Sequence, residues 1–451
     1  MAKIRSSSSY LTTSLEEGWE VAQADPDRVT TPAELDRAAP FFPAVVPGTA
    51  AEALRRAGTW DFDRPRDFDS SDWWYRVRFA RDTAEGAREA RDASTYLRLD
   101  GLASVADVWL NGAKIAETDN MFRAYELDVT AALRDANELA IRFRSLGALI
   151  KARKGRPRWK TRLVDQQQLR WYRTTLLGRI PGWTPPVAPV GPWRPVQLEQ
   201  RRHVSLDRAN VRAIREGNGG KVVARFTGRT LGKDPITAAH LSVGAARFPL
   251  TPSRTSDGGS ASSASAGFTI DAEVRLEQVD AWWPHTHGAQ PLYPVVLTLR
   301  IGDVHVAFDC GRVGFRTVHL VTDDGAFELR VNGEPIFCRG ACWTTTDVVT
   351  LDGTGRGASA ALDTARSAGM NMVRIGGTMV YEADCFYDAC DERGILVWQD
   401  FMFANMDYPG EDEGFRANVV AEANHVMSAL ETRPSLAIAC GNSEIEQQVA
   451  M

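Results

Sequence analysis

Near residue 319 the hydrophobic period of this chain changes, and that change limits its architecture more than any other feature. Before it, apolar segments are short and strand-like. After it, strands and helices alternate. Phe327 to Pro335 is a strand and turn, and Ile336 to Ala341 a further strand. A helix over 358–368 is ended by Gly369, and a strand follows over 371–375. A second helix over 382–393 puts Phe386, Ala389 and Cys390 on one face and is ended by Gly394. A strand over 395–400, a largely helical 411–431 and a strand over 436–440 complete the series. Such alternation builds a parallel α/β sheet. It supplies about half the repeats of a (β/α)8 TIM barrel, which takes about 250 residues. The expectation for 319–451 is an incomplete barrel, the chain stopping near its middle.

The residues before 319 read as all-β. Trp73-Trp74-Tyr75-Arg76-Val77-Arg78-Phe79 alternates, as do the stretches over 96–99, 105–110 and 139–143. Asn111-Gly112 between two such runs is a two-residue hairpin signal. Pro181, Pro185, Pro186, Pro189 and Pro192 exclude helix and central strand from the loop that holds them, and a strand returns after Gly191. Residues 1–200 are expected to form one β-sandwich and 201–318 a second, smaller one. Within the latter, 251–267 is mostly Ser, Gly, Thr and Ala and reads as a flexible hairpin tip. Three domains suit a chain of 451 residues.

A net charge of -5 gives no reason to expect nucleic acid or an anionic membrane as partner. No run approaches the roughly 18 apolar residues of a membrane span, and the polar N-terminus lacks the apolar core of a secretory signal. All six cysteines fall between Cys310 and Cys440. Cys338, Cys342, Cys385 and Cys440 read as small core residues, and free thiols suit a reducing cytoplasm. Cys338-x3-Cys342 has no neighbouring Cys/His pair to complete a metal site, so neither metal nor cofactor is expected. The oligomeric state is left open. Over 151–173, Lys151, Arg153, Lys154, Arg156, Arg158, Lys160, Arg162, Arg170 and Arg173 face one acid, Asp165. The run is either a solvated loop or a positive rim over a cleft for an anionic ligand.

The last strand, Leu436-Ala437-Ile438-Ala439-Cys440, is small and apolar without alternation, which suggests cover on both faces. Gly441-Asn442-Ser443-Glu444 follows at its carboxyl end, the end that carries the chemistry in a (β/α)8 barrel. Glu444 is either a solvated loop acid or a catalytic one.

Linked motifs carry a resemblance across nearly the whole chain. They include Val46-Pro47-Gly48, Asp72-Trp73-Trp74-Tyr75-Arg76, Asp107-Val108-Trp109-Leu110-Asn111-Gly112 and Thr118-Asp119-Asn120-Met121-Phe122. Trp282-Trp283-Pro284, Leu329-Arg330-Val331-Asn332-Gly333-Glu334-Pro335, Arg339-Gly340-Ala341-Cys342-Trp343 and Met370-Asn371-Met372-Val373-Arg374 continue it. Gly394-Ile395-Leu396-Val397-Trp398-Gln399-Asp400 is the most specific. With these strings the chain resembles glycoside hydrolase family 2, in its β-mannosidase branch. The resemblance implies a jelly-roll, galactose-binding-like sandwich, an immunoglobulin-like sandwich and the first half of a catalytic barrel. It implies a retaining exo-β-glycosidase acting on an oligosaccharide or β-glycoside, with Glu444 as general acid/base. The nucleophilic carboxylate is expected on a later barrel strand, beyond Met451.

The resemblance also carries over substrate-side roles. Arg374 orients the nucleophile and binds substrate, or forms a barrel salt bridge. Trp343 is a sugar-stacking wall or core packing. Asp347 binds hydroxyls or caps the following segment. Asn442 is a ligand contact or a turn residue. Asp400 is a further strand-end acid. The family pattern breaks at three places. Gly182-Trp183-Thr184-Pro185 stands where the branch has Trp-Asp-Trp, leaving Trp183 as substrate contact without the sugar-gripping Asp. Gly376 replaces a Trp, and Ser443 replaces the Asn that holds the 2-hydroxyl. These departures leave two alternatives beside a β-mannosidase. One is an exo-enzyme on an amino sugar or uronic acid. The other is a non-catalytic carbohydrate-binding protein.

Overall fold

The computed structural model describes residues 4–35, 40–80, 93–152, 154–254, 266–351 and 355–450. Two antiparallel sheets of six and four strands, drawn from Tyr10–Ser14 through Val196–Arg202, face each other first. Trp73, Tyr75 and Ile141 of one sheet and Leu97, Leu99 and Val196 of the other meet in a single core. The Asn111-Gly112 hairpin is present. Both residues take positive φ (53° and 82°) and Leu110 pairs with Ala113, so the turn twist matches that of its strands.

The strand Asp72–Ala80 departs from its expected half-exposed alternation, because Asp72 through Val77 are all buried. Trp73, Tyr75 and Val77 enter the inter-sheet core, while Trp74 stacks on Trp109 at 5.0 Å in an outer cluster with Val29 and Leu35. A covering segment on the outer face thus buries the side that pattern alone assigned to water.

A second pair of sheets, of five and four strands, packs Val211, Phe226 and Ile270 against Leu241, Leu297 and Phe308. Its five-stranded sheet also takes in Ser6–Ser7, paired with Val304–Val313, so the chain's first strand lies with the second pair of sheets. Most of the expected 251–267 hairpin tip, and Arg153, fall outside the described residues.

The parallel unit comprises β1 (Gly340–Trp343), α1 (Arg356–Ser367), β2 (Met372–Ile375), α2 (Asp384–Arg393), β3 (Leu396–Asp400), α3 (Glu413–Leu430) and β4 (Leu436–Cys440). The sheet order is β1-β2-β3-β4, parallel throughout. Asp412 caps α3, its Oδ1 accepting the Phe415 N–H at 2.8 Å. Gly394 ends α2 at φ 68°, where an added Cβ would stand 2.5 Å from the His285 nitrogen of the preceding sandwich.

Two burial expectations are corrected here. β4 is an edge strand and only partly covered, not buried on both faces. Cys338, Cys342 and Cys385 are exposed and Cys440 is intermediate, so these four are not core residues; Cys310 and Cys390 are buried. Cys338 and Cys342 line an open concave face of about 850 Å³, together with Phe327, Phe337, Trp398 and Ile438.

Candidate active site

β2, β3 and β4 bring Arg374, Asp400 and the 441–444 loop together at their carboxyl ends, because parallel strands in register point their ends the same way. Arg374 donates to Asp400 Oδ2 from Nη2 at 2.7 Å and from Nε at 3.2 Å. Its Nη2 also donates to Ser443 Oγ at 3.1 Å. Trp398 Nε1 donates to the other Asp400 oxygen at 2.8 Å. Burial opposes the Arg374 charge, but Asp400, with smaller contributions from Cys342 and Glu444, holds its proton more tightly than in a free arginine. Glu444 therefore lies within the electrostatic reach of Arg374. It is half-buried, with φ at 60°, between β4 and a short helix, Ile445–Ala450.

The 441–444 loop is tied to its neighbour. Ser443 N–H donates to the Phe403 carbonyl at 2.7 Å, and Phe401 N–H donates to the Cys440 carbonyl at 2.8 Å. Asn442 takes its turn role: its Oδ1 accepts the Ile445 N–H at 3.3 Å and its Nδ2 donates to Glu446. Gly376 stands beside Ser443, whose Oγ is the only atom near an added Cβ, at 4.0 Å. Two of the three departures from the family pattern are thus adjacent, and the space between them is open.

Other sequence candidates fall elsewhere. Trp343 is core packing and not an open wall: it is 8% exposed, its ring lies 4.9 Å from Phe386, and its Nε1 donates to Glu382 at 2.8 Å. Asp347 is a cap, its Oδ1 accepting the Val349 N–H at 2.8 Å. Trp183 is 53% exposed on its loop, where Thr184 Oγ1 accepts the Gly178 N–H at 3.0 Å.

The basic run is neither wholly solvated nor wholly a rim. Arg158 and Arg170 both pair with Asp407, and Arg173 is buried against Glu422. The Asp407 pairs dock the first sandwich's long loop onto the loop after β3, where Leu146, Val164, Leu169, Leu176 and Ile180 pack against Ala404 and Met406, and the Glu422 pair docks it onto α3. Lys151, Lys154, Arg156, Lys160 and Arg162 remain exposed. Thr161, between the last two, donates to Gln448 Oε1 at 2.7 Å, one helical turn past Glu444. Asp407 and Glu422 were not singled out from the sequence. Glu422 carried a usable signal, since it shares with Val426 and Leu430 the i, i+4, i+8 stripe that α3 buries.

Comparison with known proteins bears on the fold and on the family. Residues 19–194 match the family described as glycosyl hydrolase 2 galactose-binding domain-like. A β-mannosidase of Rattus norvegicus is 27% identical over 429 residues, covering 90% of this chain and 48% of that protein. A β-mannosidase B of Thermothelomyces thermophilus is 31% identical over 404 residues, covering 82% and 43%. The crystal structure of a β-D-mannosidase from Dictyoglomus thermophilum superposes with a TM-score of 0.80 at 26% identity, covering 96% of this chain and 52% of that one. By these matches the chain is similar to the β-mannosidases of glycoside hydrolase family 2, and it spans about half the length of the curated relatives it matches.

Proposed function

We propose that this chain carries the general acid/base of a retaining exo-β-glycosidase, and that Glu444 is that residue. The two sandwiches are then the jelly-roll and immunoglobulin-like domains of such an enzyme, and 319–451 half of its (β/α)8 barrel. The observation that carries this reading is the place of Glu444: at the carboxyl end of β4, directly after Ser443, whose Oγ accepts from Arg374, in a chain similar to glycosidases. In the first half-reaction the Glu444 carboxyl protonates the glycosidic oxygen as the aglycone leaves. In the second it takes a proton from the attacking water. Retention requires a second carboxylate about 5 Å away as nucleophile. Asp400 is not given that role, because it is fully buried and both its oxygens are held by Arg374 and Trp398. Arg374 instead fixes Ser443, and with it the approach to Glu444.

The test is Glu444→Gln in the protein expressed from its whole reading frame, assayed on aryl β-mannosides. Turnover of a poor leaving group should fall by about 10²–10⁴, while a dinitrophenyl glycoside, which needs no protonation, keeps its glycosylation rate. Unchanged turnover of the poor leaving group refutes the assignment. Binding of sugars without any turnover by the unaltered protein favours the non-catalytic alternative.

One observation favours a uronic acid over a neutral sugar. The Thr161–Gln448 contact brings exposed Lys160 and Arg162 to the helix that follows Glu444. A steep rise of KM with salt for β-glucuronides, absent for β-mannosides, supports that reading; equal salt dependence rejects it.

A further inference from the structure

We infer that Arg173 and Glu422 are positioning residues for the loop that carries Ser443 and Glu444. The catalytic meaning of this rests on the proposed role of Glu444; the mechanical part stands alone. Both side chains are 1% exposed. Arg173 donates to Glu422 from Nε at 2.8 Å and from Nη2 at 2.6 Å. The same carboxylate accepts from Asn120 Nδ2 and from the Tyr381 hydroxyl, each at 2.9 Å. Four donors thus saturate one buried carboxylate, so its orientation is not free.

Arg173 directs a third donor to the loop after β3. Its Nη1 donates to the Met402 carbonyl at 2.7 Å, and its guanidinium lies 3.9 Å over the Phe403 ring. From the other side the Met402 N–H donates to Tyr381 at 3.2 Å. The Met402–Phe403 segment is therefore gripped at an amide, a carbonyl and a ring. The next carbonyl, that of Phe403, accepts the Ser443 N–H. Gly377 removes the remaining slack, since an added Cβ there would stand 2.5 Å from the Phe403 oxygen and 3.0 Å from Ser443 Cβ. The contacts run without a gap from Glu422 through Arg173, Met402 and Phe403 to Ser443, the residue before Glu444.

An alternative would make this pair plain interdomain glue. Stability alone does not call for it, because a buried ion pair can be replaced by matched apolar groups at little cost or with a gain. Apolar groups cannot hold the Met402 carbonyl, and the experiment turns on that difference. Amide hydrogen exchange is followed by mass spectrometry on the 451-residue chain, its Arg173→Lys variant and the double variant Arg173→Met/Glu422→Met. The expected result is at least tenfold faster exchange in peptides covering 401–406 and 441–448 of the double variant. Peptides from the second pair of sheets should be unchanged, and Arg173→Lys should be intermediate. Native exchange over 441–448 in a folded double variant overturns the inference.

Should the double variant not fold, Tyr381→Phe removes only the hydroxyl that accepts the Met402 N–H and donates to Glu422. It should raise exchange over 401–406 and 441–448 about threefold, and no change there overturns the inference. If the protein turns over glycosides, Arg173→Lys should lower kcat at least tenfold with KM nearly constant. A normal kcat overturns the catalytic part. Faster exchange in the double variant together with unchanged turnover by Glu444→Gln would leave the positioning intact and remove the proposed acid/base; native exchange with lost turnover by Glu444→Gln would do the opposite.

Discussion

Glu444 is held in the left-handed region at φ 60°, where an L side chain costs about 1–2 kcal/mol relative to glycine. A Glu444→Gly variant should therefore unfold at higher denaturant than Glu444→Ala, by about 1 kcal/mol, as equilibrium unfolding would show. Strain kept at one acidic residue fits a site where geometry matters more than stability. Arg374 illustrates a different balance. Arg374→Met leaves Asp400 buried without its cation and should destabilise by about 3 kcal/mol, measured in urea. Restoring stability with Arg374→Met/Asp400→Leu would identify the loss as the orphaned charge.

At the scale of elements, two adjacent glycines make opposite predictions. Gly377→Ala drives a Cβ to 2.5 Å from the Phe403 oxygen and 2.8 Å from that of Phe401, both backbone atoms that cannot swing aside. It should cost about 1–3 kcal/mol. Gly376→Ala meets only Ser443 Oγ at 4.0 Å and should stay within about 0.5 kcal/mol. Thermal unfolding of the two variants side by side checks both. The elements here were well foreshadowed. Gly369 and Gly394 end their helices as read, and the alternation of helices and strands from 356 to 440 matches the observed one, whereas the strand expected over 336–341 is divided between Glu334–Ile336 and Gly340–Trp343. The partial cover of β4 was not legible, since apolar composition reports what a strand tolerates and not what is laid against it.

For the molecule as a whole, the first sandwich's loop and the parallel unit are joined by charge. Burial works to raise the Asp407 pKa, but the hydrogen bonds and charge of Arg158, with Arg170, outweigh it and hold the carboxyl below its usual range. A depressed carboxylate stabilises above its unfolded pKa, near 4, and loses that contribution as pH falls through the folded value. The stability gap between the unaltered chain and Asp407→Asn should thus be full at pH 7 and shrink as the pH falls below about 4. A gap independent of pH would contradict it. The open concave face makes a further prediction, since Phe337 is 78% and Phe327 61% exposed. The chain should bind a hydrophobic dye and self-associate, and Phe337→Glu should reduce both, as light scattering would report.

Local chemistry was sufficient for the elements, the turns and the placement of Glu444 at a strand end, because caps, periodicity and glycine conformation act over a few residues. It was also sufficient for the family resemblance, through short strings such as Gly394 to Asp400. Partnership across long separations was decided by the tertiary structure. Trp343 went to packing and Asp347 to a cap; Arg170 and Arg173 left a surface-like run for buried pairs with Asp407 and Glu422. A charge in sequence carries no record of the opposite charge that folding brings to it from more than 200 positions away, and burial without that partner would be too costly to persist.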